Sequence, residues 1–237
     1  MDSNWIIQLK KHKDFGCGVV SSGTKSQMGN IIWRSPENLK ACNEVAIESQ
    51  EITSKSRILT VTDMHHAGGL LLQTLPAYTL DAFISVEKFN PWTFLKRVKG
   101  FTHTFLTPDQ MTMVMKTKGF KDCDLTGIRI LGGSSSVSWA MIEAFVSKGA
   151  IVQPNWGMSE VGPTAINIVF DNPERVQEVK KLTPGNATIM GDTTYISYRL
   201  SKELEVKGHI SIKPNKWLKT GDKVILVDGI LFYDGRL

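Results

Sequence analysis

The sequence predicts an α/β protein in which a mostly parallel sheet is flanked by helices and followed by a smaller, β-rich, barrel-like subdomain. Strand and helix signals alternate from about residue 16 to residue 155, which is typical of a parallel sheet wrapped by helices. After about residue 164 short β-type runs dominate. We therefore expect an α/β subdomain over residues 1–163 and a β-rich subdomain over residues 164–237.

Three helix starts carry the same local signal, a capping side chain followed by proline. They are Ser35-Pro36, Asn90-Pro91 and Thr107-Pro108, and the first predicted helix extends to about Gln50. Further helices are predicted over residues 68–79 and 138–147, while residues 171–181 are compatible with either a helix or a loop.

The predicted strands are rich in β-branched and aromatic residues. In the first part they cover residues 57–62, 83–86, 101–106, 128–131 and 150–153. In the second part they cover residues 187–190, 194–198, 204–207, 209–212 and 223–227. Asp228-Gly229 joins the last of these to residues 230–233 and predicts a hairpin.

Composition indicates an ordinary globular protein, with 41% hydrophobic and 22% charged residues among 237. The sequence contains no apolar run of about 18 residues, so we expect no membrane span. The apolar residues at the start precede the basic cluster, which is the wrong order for a secretory signal. Cys17, Cys42 and Cys123 fit neither a disulfide framework nor a zinc site. A cytoplasmic protein with buried thiols is the expectation.

The net charge of +5 permits a polyanionic ligand. The short basic clusters at residues 10–13 and 96–99 lack the interleaved aromatic residues of a nucleic-acid surface. We therefore interpret them as solvated faces and regard nucleic acid as a minor alternative.

The first candidate motif is SSGTKSQMG, from Ser21 to Gly29. Small and hydroxyl-bearing residues allow backbone N–H groups to converge on phosphate oxygens. The segment is not a Walker loop, because no Gly-Lys-Ser/Thr follows. A plain polar turn remains the alternative.

The second candidate, His65-His66-Ala67-Gly68-Gly69, lies between a predicted strand and a predicted helix. Adjacent histidines rarely face one ion and no third ligand is evident, so a metal site is disfavoured. We expect a pocket wall beside a helix N-terminus, with a purely structural histidine as the alternative.

Further candidates occupy the ends of later strands. Glycines in Gly132-Gly133-Ser134 permit close approach to a ligand at the carboxyl edge of the sheet, although a tight turn without ligand explains them equally. In the segment from Asn155 to Glu160, an aromatic ring could stack on a base, a hydroxyl could bind phosphate and a carboxylate could hold Mg²⁺. Asp222 could bind ribose hydroxyls, and Asp234-Gly235-Arg236 ends the chain.

Taken in order, these motifs resemble the core motifs of the adenylate-forming superfamily of acyl-CoA synthetases, luciferases and nonribosomal-peptide adenylation domains. The resemblance covers about residues 16–237. It implies an acid–thiol ligase core that uses ATP and Mg²⁺ to convert a small or medium carboxylic acid into an acyl-adenylate. CoA or a carrier protein would then accept the acyl group.

The resemblance also implies a role for individual positions. His66 would position the acid, Glu160 would hold Mg²⁺, and Lys25 would supply a displaced positive charge. The residues that it places around the nucleotide are Ser21, Ser22, Gly23, Thr24, Gly132, Gly133, Ser134, Asn155, Trp156, Gly157, Met158, Ser159, Asp222 and Arg236.

The sequence departs from the family pattern in the phosphate loop, where Lys25 to Gly29 replace the usual Gly-x-Pro-Lys continuation. We also expect the chain to lack the mobile C-terminal domain and its catalytic lysine, since it ends where the family's hinge begins. Two alternatives to a ligase follow. One is a non-catalytic AMP- or ATP-binding module, or a core that needs a separate C-terminal domain; the other is a scaffold that has lost the site.

Overall fold

The computed structural model describes residues 3–21 and 30–237, with side chains from residue 6 onward. The α-helices are α1 (Ser3–Phe15), α2 (Pro36–Gln50), α3 (Ala67–Gly69), α4 (Leu75–Thr79), α5 (Pro91–Val98), α6 (Pro108–Met115), α7 (Trp139–Val146) and α8 (Pro173–Lys181). A π-helical turn covers Leu70–Thr74, and a 3₁₀ turn covers Lys118–Phe120.

The strands of the first part are β1 (Cys17–Val20), β2 (Ile31–Arg34), β3 (Arg57–Thr60), β4 (Phe83–Val86), β5 (His103–Leu106), β6 (Arg129–Gly132), β7 (Ile151–Met158) and β8 (Gly162–Asn167). Those of the second part are β9 (Thr188–Gly191), β10 (Thr193–Thr194), β11 (Ser197–Leu200), β12 (Leu204–Lys207), β13 (Leu218–Lys219), β14 (Asp222–Val227) and β15 (Ile230–Arg236).

A seven-stranded sheet in the order β10-β8-β7-β6-β5-β3-β4 organises the molecule. The five strands from β7 to β4 are parallel, whereas β8 and β10 add to the β7 edge in antiparallel fashion. Three small antiparallel sheets accompany it: β1-β2, β11-β12-β13 and β14-β15-β9. The predicted fold class is therefore confirmed. The predicted division at residue 163 falls within β8 and stays a prediction.

The strand order reverses at β3, which has β4 on one side and β5 on the other. In open parallel sheets a ligand crevice forms at such a reversal, outside the carboxyl ends of the strands. The loops after β3, β5, β6 and β7 all leave from this edge, so the fold itself indicates where to look for a site.

Helices cover both faces of the sheet. Apolar residues of α5 to α8 pack on one face in the largest buried cluster, which also includes Ile230 and Phe232 of β15. On the other face, α2 packs beside β8 and the segment of residues 70–74. Within residues 3–21 and 30–237, no helix is long and apolar enough to cross a membrane.

The predicted helix over residues 68–79 is present but interrupted by the π-helical turn. Pro76 has no N–H to donate to the carbonyl of Leu72, so the regular helical pattern fails there. The amide of Gln50 donates to that carbonyl instead, at 2.7 Å, and the N–H of Leu75 bonds five residues back to Leu70. The wider turn is thus a local consequence of one proline.

Most other predicted elements are confirmed, with two exceptions in the second part. Residues 171–181, left open between helix and loop, form α8 after the N-cap Asn172. The strand predicted over residues 209–212 is wrong, because this segment is a turn. Its carbonyl groups bond to side chains rather than to a neighbouring strand: Asn38 donates to His209 and Ser211, and Arg34 donates to Ile210. The strand predicted over residues 194–198 is split between β10 and β11.

Candidate functional site

A cavity of about 130 Å³ opens at the carboxyl edge of the parallel strands, beside the reversal in strand order. Its walls combine apolar side chains with a few polar groups, the usual composition of small-molecule sites. The lining residues are Val20, His66, Ala67, Gly68, Leu72, Phe105, Ser134, Asn155, Gly157, Met158, Ser159, Gly162 and Pro163.

His66 lies in the cavity wall and caps α3 with an extended backbone. Its Nδ1 is 3.0 Å from the carbonyl oxygen of Val20, and the backbone N–H of Val20 donates to His65. Because a carbonyl only accepts, Nδ1 carries the proton in this contact and Nε2 is the free ring nitrogen of neutral His66. The end of β1 is thereby joined to the loop after β3.

His65 faces Asp63 rather than the cavity, with its Nδ1 2.8 Å from Asp63 Oδ1. The backbone N–H of His65 also donates to Asp63, which lowers the pKa of that carboxyl. In the part of the chain that the structure describes, no three His, Cys, Asp or Glu side chains are grouped as metal ligands.

The Gly132-Gly133-Ser134 turn is locked to β7 by Asn155. The Asn155 side-chain amide donates to the carbonyl of Gly132 at 2.9 Å. A side chain at Gly133 would place its Cβ 2.7 Å from that amide nitrogen, so glycine is required for this contact. Ser134 has a left-handed φ of 72° and lines the cavity. Backbone strain of this kind tends to occur at functional sites.

Trp156 belongs to a second cluster on the small-sheet side of β7. Its indole Nε1 donates to Asp222 Oδ2 at 2.9 Å, and Asp222 Oδ1 is 3.2 Å from Arg236 Nε. Arg236 also donates to the carbonyl of Thr220 at 3.2 Å. None of Trp156, Asp222 and Arg236 lines the cavity. One strand thus separates the cavity, on the side of Asn155, from a polar cluster around Asp222.

The turn from β7 to β8 carries Ser159 and Glu160. It is tight, since a Cβ at Gly157 would lie 2.3 Å from the carbonyl oxygen of Gly162. The Glu160 side chain is half-buried, and within residues 6–21 and 30–237 its carboxylate has neither a hydrogen bond nor an ion pair. Its oxygens are therefore available to a ligand.

Ser21 stands where β1 enters the predicted phosphate loop. Its backbone N–H donates to the carbonyl of Asn30 at 2.9 Å, and its Oγ accepts from the Asn30 N–H at 3.1 Å. These bonds close the base of the loop. Four predicted phosphate-loop residues lie outside the described part of the chain: Ser22, Gly23, Thr24 and Lys25.

Sequence reasoning did not identify the apolar floor of the cavity. Leu72 and Phe105 read as core residues of a helix and a strand, and both are indeed buried. Only the parallel pairing of β3 with β5 brings them under His66 and Asn155. Arg34, which contacts the turn carrying Ser159, was missed for the same reason.

The fold and this edge-of-sheet site match a known class of proteins. The family model described as AMP-binding enzyme matches residues 30–199, so the chain belongs to the AMP-binding enzyme family. The match begins directly after the predicted phosphate loop and ends before Asp222 and Arg236.

A curated relative is the indoleacetate–CoA ligase of Aromatoleum aromaticum, which is 24% identical over 212 residues. That alignment covers 81% of this chain and 42% of the relative, so the chain spans less than half the length of the relative that it matches.

Solved structures of adenylate-forming enzymes share the fold. The adenylation domain of a keto acid-selecting NRPS module, bound to keto acyl adenylate, has a TM-score of 0.76 at 15% identity, covering 92% of this chain and 51% of that chain. ATP-bound MatB from Rhodopseudomonas palustris has a TM-score of 0.74 at 17% identity, with coverages of 92% and 47%. The N-terminal domain of FACL13 from Mycobacterium tuberculosis has a TM-score of 0.75 at 15% identity, with coverages of 93% and 60%.

Proposed function

We propose that this chain binds ATP with Mg²⁺ and joins a small carboxylic acid to AMP, giving an acyl-adenylate for transfer to CoA or a carrier-protein thiol. The observation that carries the proposal is the placement of two unlike sites on β7. Asn155 and Gly157 line the cavity, while Trp156 between them reaches Asp222. Membership of the AMP-binding enzyme family supports assigning a nucleotide to one of these sites.

The cavity is the proposed site of the acid. Its volume of about 130 Å³ is close to that of an engineered apolar cavity of about 150 Å³ in another protein, which binds benzene. An acid with one ring, or a short branched chain, matches this space. Indoleacetate, named for the relative, has two fused rings and would exceed it.

The nucleoside is proposed to lie against Trp156, with the ribose hydroxyls on Asp222. Both carboxylate oxygens of Asp222 already have donors. Arg236 is the partner that a ribose would displace, because its side chain is 55% exposed and lies at 3.2 Å, whereas the indole contact is 2.9 Å. Trp156 would then keep Asp222 oriented during binding.

The phosphates are proposed to lie at the turn that bears Ser159 and Glu160. A single carboxylate together with phosphate oxygens is a common way of binding Mg²⁺, and the half-buried, unpaired Glu160 fits it. Bound Mg²⁺ would draw charge from the phosphate oxygens. The Ser159 hydroxyl would donate to the α-phosphate while an acid oxygen forms a bond to the α-phosphorus and the bond to pyrophosphate breaks.

The proposal is tested by pyrophosphate–ATP exchange with a panel of carboxylic acids, together with calorimetric titration of AMP and ATP. We expect AMP to bind, and exchange to depend on a small acid. Asp222→Ala should abolish AMP binding, and Glu160→Gln should weaken ATP binding only when Mg²⁺ is present. AMP binding without exchange for any acid would indicate the non-catalytic binding module. Absence of all nucleotide binding, with both variants like wild type, would indicate the scaffold.

A further inference from the structure

Arg34, at the end of β2, is fully buried, with 0% of its surface exposed. Its guanidinium joins three segments that are far apart in the sequence. Nη2 donates to the carbonyl of Ser159 at 2.6 Å, and Nη1 donates to the carbonyl of Ile210 at 3.0 Å and to Asn38 Oδ1. Arg34 therefore connects the strand after the phosphate loop to the turn between β7 and β8.

The partners of this buried cation are unusual because they are neutral. Arg129 and Arg199 pair with Glu51 and Glu205, whereas no carboxylate pairs with Arg34 in the described part of the chain. Its Nε is buried without a partner there. Burying an arginine without a counter-ion is unfavourable unless neutral acceptors compensate. Two main-chain carbonyls and an amide oxygen do so here.

The same contacts hold the turn of Ser159 and Glu160 from behind, through its backbone. Arg34 takes the Ser159 carbonyl, and the N–H of Ile212 takes the Glu160 carbonyl at 3.0 Å. Asn38 holds the adjoining segment by donating to the carbonyls of His209 and Ser211. Since only main-chain atoms of the turn are used, the Ser159 and Glu160 side chains remain free for ligands.

We propose that Arg34 is a positioning residue that fixes the turn of Ser159 and Glu160 for binding phosphate and Mg²⁺. The ligand part of this inference rests on the proposed function, while the anchoring part does not. The planar guanidinium directs separate N–H groups at the Ser159 and Ile210 carbonyls at once. A lysine ammonium keeps the charge but lacks this fork, so Lys is not an equivalent replacement.

The test compares Arg34→Lys with the matched control Arg129→Lys. Arg129 is also buried, but it contacts Gln153 and Glu51 at the amino edge of the sheet. Hydrogen exchange of the amides in residues 158–162 and 208–212 is measured first, without nucleotide. We expect Arg34→Lys to accelerate exchange of Ile212 and its neighbours about tenfold or more, and Arg129→Lys to leave both segments unchanged.

Calorimetry then compares ATP with Mg²⁺ against AMP without metal. Arg34→Lys should weaken the first at least about tenfold, a change of roughly 1.4 kcal/mol, and the second much less; Arg129→Lys should alter neither. Equal exchange in the two variants would overturn the anchoring. Normal ATP–Mg²⁺ binding by a loosened Arg34→Lys protein would overturn the positioning role. If wild type binds no nucleotide while Arg34→Lys still loosens the turn, the proposed function fails and the anchoring stands.

Asn38→Ala supplies a second variant if Arg34→Lys does not fold. It removes the donors to His209 and Ser211 while leaving Arg34 bonded to Ser159. We expect faster exchange in residues 208–211 and wild-type exchange in residues 158–161. An equal rise in both segments would show that Arg34 does not hold the turn, and would overturn the proposal.

Discussion

Replacing Trp156 by phenylalanine removes the indole donor to Asp222 and keeps an aromatic ring on β7. The lost bond is 2.9 Å long and ends on a buried carboxylate. Hydrogen bonds to charged groups contribute about 1.5–3 kcal/mol. Because Arg236 still pairs with the other carboxylate oxygen, we expect the lower end, a loss of about 1.5–2 kcal/mol in the free energy of unfolding. In a domain of this size that lowers Tm by about 3–8 °C.

A double-mutant cycle with Asp222→Asn isolates this bond from the loss of ring volume. Unfolding by urea is measured for wild type, each single variant and the double variant. We expect a coupling energy of at least about 1 kcal/mol between the two positions, since contacting residues couple by about 0.5–3 kcal/mol. A coupling below about 0.3 kcal/mol would refute the reasoning, because the indole would then not hold the carboxylate in solution.

Other predictions concern the cavity, pH dependence and a helix cap. Phe105→Leu enlarges the cavity floor and should shift acid preference towards two-ring acids about tenfold or more in exchange assays, whereas the buried control Phe145→Leu should not. Burial lowers the pKa of His103 below its ordinary 6.5. The unfolded chain therefore binds more protons below pH 6.5, and unfolding free energy should fall as pH drops through that range, less steeply in His103→Gln; burial of His12 adds a slope of the same sign. Thr107→Ala removes a capping box and should lower stability by about 1 kcal/mol in urea titrations; no change would contradict the cap.

Local signals account for the part of the fold that was predictable. Helix α2 starts and ends where expected because Ser35 accepts from the Asn38 N–H and Pro36 occupies the first turn, and such signals need no distant partner. Likewise, Asp228-Gly229 forms the hairpin between β14 and β15. Positive φ at both residues is what this turn requires.

Long-range contacts decided what could not be predicted. The segment of residues 209–212 has strand-like composition, but side chains more than 160 positions away bind its carbonyl groups. The bond between Trp156 and Asp222 spans 66 positions, and no periodicity reports it. The sequence could name Trp156 and Asp222 as candidates; it could not reveal that they touch or that Arg34 supports the neighbouring turn.

The central claim is that β7 and Asp222 form a nucleotide site, and calorimetric titration with AMP and 2′,3′-dideoxy-AMP tests it most directly. The account predicts that wild type binds AMP, and that removing both ribose hydroxyls weakens binding by about tenfold or more, since each hydrogen bond to a carboxylate is worth roughly 1.5–3 kcal/mol. Asp222→Asn should bind the two ligands nearly equally. Equal affinity of wild type for both ligands, or no binding of AMP at all, would contradict the account.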